Sequence, residues 1–151
     1  MKELLGNVKH VSLNQAKNLN LIDTCFLINE VKHNLNKINK KAITSFNILE
    51  ILHVEHKLKH DVRKAIREFF KSKDLVIIDI GVEPGNREQE VRFVNSVDEE
   101  LIKNVSDPSD AVLIATAIIT KSTIYTKDKH HLFTTKLENF LNKYNIKVLK
   151  N

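Results

Sequence analysis

Short β-branched apolar runs alternate with segments of helical periodicity along this chain. That alternation implies an α/β fold with a largely parallel sheet and helices on both faces. The run 19–28 (LNLIDTCFLI) reads as a buried strand that ends near Asp23 and turns into a helix. Further strands are predicted at 42–46 (AITSF), 75–80 (LVIIDI), 123–126 (TIYT) and 146–149. Residues 29–41 are polar and Lys-rich, a surface helix or loop. Asn47 followed by Glu50 is close to a capping box, with Asn47 as the cap and Glu50 in the first turn. Ile51, Val54, Leu58, Val62, Ala65, Ile66 and Phe69 then recur every three to four residues and predict one amphipathic helix. Residues 82–86 carry turn chemistry. Val91, Val94, Val97 and Leu101 predict a helix over 87–104. Asp107 suits a cap, Pro108 the first helical position and Asp110 the first turn of the next helix. The body of that helix, AVLIATAII, is apolar on all sides and is predicted to be buried. Residues 134–144 form the last predicted helix. Residues 1–18 are weakly patterned and read as an N-terminal extension, with 19–151 as the domain.

Composition narrows the function classes. At 151 residues the chain suits one domain. Its longest strongly apolar stretch, nine residues at 111–119, falls short of the roughly 20 needed for a membrane span. The start, MKELLGNVKH, has no apolar core of signal-peptide length, and Cys25 is the only cysteine. These features predict a cytoplasmic protein without a disulfide framework or a multi-cysteine metal site. With three glycines, and neither GxGxxG nor GxxxxGK[ST], the chain lacks a nucleotide-binding loop.

Four acids are placed by this scheme on one edge of the sheet. Asp23 ends the first predicted strand. Glu50 and Asp110 start helices, and Asp128 follows the TIYT strand. In a parallel sheet, strand carboxyl ends and helix amino ends share the edge where ligands bind. Such a carboxylate cluster stays ionised only if cations compensate it. Oxygen ligands without a His or Cys cluster favour Mg²⁺ or Mn²⁺ over Zn²⁺. Two such ions about 4 Å apart suit phosphodiester hydrolysis. The chain is nevertheless net basic, +5. Its positive charge is grouped at Lys32, Lys37, Lys40 and Lys41 and along Lys57, Lys59, Arg63, Lys64, Arg67 and Lys71. An acidic centre with basic surroundings is what a nuclease needs. Lys57, Arg63, Lys64 and Arg67 are the candidate RNA contacts.

The segments LIDTCFLI, SFNILEIL, DPSDAVLIATAI and IYTKDKHHL, in that order, resemble the PIN-domain family over residues 19–150. The resemblance implies a three-layer α/β/α sandwich and metal-dependent ribonuclease activity. It implies that Asp23, Glu50, Asp110 and Asp128 are both catalytic and metal-binding. Thr24 and Thr126 are the implied hydroxyl supports, with Asp107 beside them. Many small members are VapC-like toxins, which implies a homodimer and a small antitoxin protein as partners besides RNA.

Each residue also has a plainer reading. Asp23 could be a strand-end turn residue, and Glu50 could complete a cap. Asp110 could be a carboxylate favoured by the helix dipole. Asp128 could be a solvated loop residue, and Cys25 a small apolar one. His130 and His131 point different ways as neighbours. A non-catalytic RNA-binding or scaffold protein is the main alternative. A haloacid-dehalogenase-type phosphohydrolase would need a second Asp where Cys25 stands. A phosphoryl-receiver domain lacks its paired acids here.

Overall fold

The computed structural model describes residues 2–33, 35–127 and 134–150. Its centre is a six-stranded sheet in which every neighbouring pair runs parallel. The strands are β1 (Lys9–Ser12), β2 (Asn20–Ile22), β3 (Lys41–Thr44), β4 (Val76–Asp79), β5 (Thr123–Tyr125) and β6 (Val148–Leu149). Their spatial order is β1-β4-β3-β2-β5-β6.

The central strands are apolar at successive positions because both faces of the sheet are covered. Leu21, Ala42, Ile78 and Ile124 join one core, and Ile22, Ile43 and Ile77 join the other. Side chains that alternate along a strand thus feed two separate layers. Helices α2 (Thr24–Glu30), α3 (Ser45–Val54) and α4 (His60–Phe69) close one face, using Phe26, Leu27, Ile48, Ile51, Ile66 and Phe69. Helices α5 (Arg87–Val97), α6 (Leu101–Asn104), α7 (Pro108–Thr120) and α8 (Thr135–Asn142) close the other, the short α1 (Lys2–Leu5) lying at the start of the chain. The result is a three-layer α/β/α sandwich.

Helix α7 is the buried helix that its composition demands. Asp107 caps it by accepting from Ser109 N, Pro108 opens it, and residues 111–117 are all buried. Its buried hydroxyls are satisfied within the helix, Thr116 donating to Val112 O and Thr120 to Thr116 O. Among the described residues no helix is long and apolar enough to cross a membrane.

Three expectations are corrected. First, the stretch expected as an N-terminal extension supplies a strand of the sheet. Lys9–Ser12 pairs along β4, with Val11 opposite Ile78, and Val8 and Ala16 are buried. An edge strand with one inward residue carries no apolar run, so the sequence gives it no strand signature. Second, the helix expected from Asn47 to Lys71 is two helices. The chain leaves α3 through a 3₁₀ turn at Glu55–Lys57 and becomes extended at Leu58. Both helices bury the same face, so apolar spacing continues across the corner. Third, the helix expected over 87–104 breaks after Val97. The Asp98 carboxylate accepts from Glu100 N at 2.8 Å and from Tyr144 Oη, holding a turn before α6.

His10 ties the N-terminal segment down. Nδ1 donates to Asp79 on the neighbouring strand at 3.0 Å, and Nε2 faces Leu5 O at 3.1 Å. Both nitrogens donate only in the imidazolium form. The Asp79 hydrogen bond accordingly raises the His10 pKa above its ordinary 6.5. A raised histidine stabilises the fold fully below pH 6.5, and the gain fades as pH climbs through the folded-state value. His10→Gln is therefore expected to lower the melting temperature at pH 5.5 and to match wild type at pH 9. The pair is exposed, so the loss stays below about 1 kcal/mol. Thermal melts at the two pH values check this.

Candidate active site

The strand order sets the position of the site. The chain leaves β2 toward β3 on one side and leaves β5 toward β6 on the other. The carboxyl ends of β2 and β5 are therefore the topological switch point, where a parallel sheet opens a crevice. Asp23 follows β2 directly and caps α2, its Oδ1 accepting from Thr24 N at 2.8 Å. Asp23 N in turn donates to Tyr125 O at 2.9 Å. Thr126 follows β5, is fully buried, and donates its hydroxyl to Asp23 Oδ2 at 2.7 Å. Cys25 Sγ lies 3.2 Å from the same oxygen and 3.3 Å from Thr126 Oγ1.

The third strand end delivers Glu50 by way of Asn47. Thr44, not Asn47, caps α3, its hydroxyl oxygen accepting from Asn47 N at 3.0 Å. This corrects the expected cap and moves Glu50 from the first turn to the second. Thr44 ends β3 and its side chain reaches the helix three residues on, so it takes the cap first. Asn47 is then free to act as a buried hub. Its Oδ1 accepts from Thr44 Oγ1 at 2.8 Å. Its Nδ2 donates to Glu50 Oε1 at 2.9 Å and to Thr24 Oγ1 at 3.0 Å. Thr24 Oγ1 donates to Glu50 Oε1 at 3.0 Å. Asn47 is the residue that sequence reasoning missed as part of the site. A Thr three residues before it, at the end of an apolar strand, was the signal available.

Asp23, Glu50 and Asp110 line one open cleft of about 400 Å³, together with Thr24, Cys25, Ile28 and Val54. Asp110 comes from the first turn of α7. Two strand-to-helix junctions, β2 to α2 and β3 to α3, and the amino end of α7 thus bring three carboxylates to one place. Burial pushes the Glu50 carboxyl up to about 7, and the nearby Asp23 and Asp107 charges add to it. The Thr24 and Asn47 hydrogen bonds oppose the rise without cancelling it. Burial and the Asp23 charge likewise push the Cys25 thiol up to about 11, which keeps it un-ionised at neutral pH.

Asp107 pairs with Arg87 at 3.6 Å besides capping α7. Lys57 lies on the 3₁₀ turn after α3. Arg63, Lys64 and Arg67 lie on α4, Arg67 facing Glu55 at 3.9 Å. Asp128, His130 and His131 lie outside the described residues.

Among the described residues, no group of three or more His, Cys, Asp or Glu side chains is gathered tightly enough to hold a metal ion. A site for Mg²⁺ needs less than that, because the ion keeps several waters and takes one or two carboxylates. The donors in the cleft have the right chemistry. They are oxygen ligands, and Glu50 receives its hydrogen bonds from the neutral groups of Thr24 and Asn47. Searches of known protein families, curated proteins and solved structures found no match to this chain.

Proposed function

We propose that this chain is a PIN-like endoribonuclease that hydrolyses RNA phosphodiester bonds with Mg²⁺ or Mn²⁺. The observation that carries the reading is the convergence of Asp23, Glu50 and Asp110 on one cleft at the switch point of a parallel sheet. Asp23, Glu50 and Asp110, with Asp128 as a fourth acid, would hold the cation. When bound, the cation supplies Lewis-acid polarisation of the scissile phosphate and a more acidic water at neutral pH. The chain's own residues do the rest. Thr24 N and the Thr126 hydroxyl fix both oxygens of Asp23. Asn47 and Thr24 fix Glu50, whose carboxyl releases its proton near pH 7 in the metal-free protein, so a cation would compete with that proton. Attack by water, not by a ribose 2′-hydroxyl, leaves 5′-phosphate and 3′-hydroxyl ends. A homodimer and a small antitoxin partner belong to the same proposal, through the resemblance to VapC-like toxins.

The deciding experiment incubates a mixed RNA panel with wild type and with Asp110→Asn, each with Mg²⁺, with Mn²⁺ and with EDTA. Cleavage is expected only in wild type with metal, and cleavage that persists in EDTA would sink the mechanism. A second reading, an RNA-binding or scaffold protein without turnover, is favoured by the lack of a tight three-ligand group among the described residues. RNA binding by a folded wild type that never cleaves would select it.

A further inference from the structure

The chain turns between α3 and α4, and that corner adjoins the acidic cleft, because Val54 lines the cleft one turn after Glu50. Residues 53–67 (HVEHKLKHDVRKAIR) contain only two carboxylates. Both are already engaged: Glu55 faces Arg67 at 3.9 Å, and Asp61 pairs with Lys32. His53, His56, Lys57, Lys59 and Lys64 are exposed around the corner, with no carboxylate partner among the described residues.

Arg63 stands out within this surface. The chain has four arginines. Arg67, Arg87 and Arg92 each face a carboxylate, on Glu55, Asp107 and Glu88. Arg63 faces none among the described residues. It is half-buried on α4, one turn before Ile66 and Arg67, and its Nε is buried without a hydrogen-bond partner. A buried donor left unpaired is costly, and a guanidinium cannot shed its charge to escape that cost. The Nη groups of Arg63 are not among the buried unpaired atoms, and they carry the same charge out to where an oxyanion can bridge them.

The geometry points to Arg63 as a phosphate-binding residue for single-stranded RNA, at the centre of a cationic corner along which the backbone leaves the cleft. This deepens the ribonuclease reading and rests on it for the identity of the polyanion. The surrounding lysines supply sequence-independent attraction, and Arg63 supplies one fixed contact.

Binding of a fluorescein-labelled single-stranded RNA, followed by anisotropy in EDTA over a range of KCl, tests this. Arg63→Gln is expected to weaken binding about tenfold and to shallow the salt slope by about one phosphate contact. Arg63→Lys is expected to restore the slope and part of the affinity. Arg92→Gln, on α5, is expected to bind as wild type does. Wild-type affinity and slope in Arg63→Gln would overturn the inference. So would weaker binding with an unchanged slope and a lowered melting temperature, which marks a packing role. No RNA binding by wild type would also overturn it. Poly-glutamate binding with equal strength and the same Arg63 dependence would overturn it in favour of an acidic protein partner. The cleavage panel separates the two failures. Metal-dependent cleavage with an indifferent Arg63→Gln fails the contact alone. An Arg63-dependent RNA contact without cleavage fails the ribonuclease reading alone.

Discussion

Asp23→Asn is expected to lose at least about a thousandfold in metal-dependent RNA cleavage while melting within about 1 kcal/mol of wild type. The two halves of this expectation have separate causes. Asparagine caps a helix as well as aspartate, so its Oδ1 still accepts from Thr24 N. Its Nδ2 then faces Thr126 Oγ1, now 2.7 Å from Asp23 Oδ2. That hydroxyl can accept from the amide and turn its own proton toward Cys25 Sγ, 3.3 Å away. The network survives with two bonds reversed, the amide hydrogens facing Thr126 Oγ1 and Cys25 Sγ where the carboxylate accepted from both. What is lost is the negative charge on an oxygen facing the cleft, where a hard cation needs it. Initial cleavage rates in saturating Mg²⁺, set beside thermal melts, check both halves. Cleavage within a few-fold of wild type would reduce Asp23 to a capping residue.

Glu50→Gln is expected to abolish cleavage as well, yet to raise stability. The folded protein holds the Glu50 carboxyl near 7, against an ordinary 4.5. Between those values the folded state binds the proton more tightly than the unfolded chain does. Wild-type stability therefore falls as pH rises from 4.5 to 7, and the whole penalty is present above 7. The shift corresponds to about 3 kcal/mol at most. Glu50 is partly exposed, and solvent screening brings the expected gain of the Gln variant at pH 8 to about 1–2 kcal/mol. The gain should shrink as pH falls through the same window and vanish below about 4.5, where both side chains are neutral. Added Mg²⁺ should raise the wild-type melting temperature at pH 8 and leave that of Glu50→Gln nearly unmoved. Denaturant or thermal melts of both proteins at pH 4.5 and pH 8, with and without Mg²⁺, check the sign. Equal stabilities at pH 8 would mean that Glu50 is solvated and carries no strain. A buried carboxylate that costs stability in the metal-free protein is a common mark of a functional site.

Local signals served some parts of the site better than others. Asp107-Pro108-Ser109-Asp110 was legible because capping chemistry is written in adjacent residues, and α7 begins there. Asp23 was legible because an acid interrupts an apolar run at the point where β2 ends. Glu50 was found as a residue but misplaced by one turn, because Thr44 competes with Asn47 for the cap and only the strand end decides between them. Asn47 was hidden for a related reason. Its partners Thr24, Glu50 and Thr44 come from two strand–helix junctions, and no local pattern joins Thr24 to Asn47.

The alternation of strands and helices, the burial of α7 and the place of Asp23 at a strand end were legible in the sequence, since each follows from side-chain period and capping within a dozen residues. The order β1-β4-β3-β2-β5-β6, the recruitment of Lys9–Ser12 to the edge and the corner between α3 and α4 came from packing between distant segments. Local patterning tells a strand which faces to bury but does not name its neighbour. The neighbour is chosen by contacts between residues far apart in the chain, such as Leu21 against Ile124, and those contacts create the crevice where the acids meet.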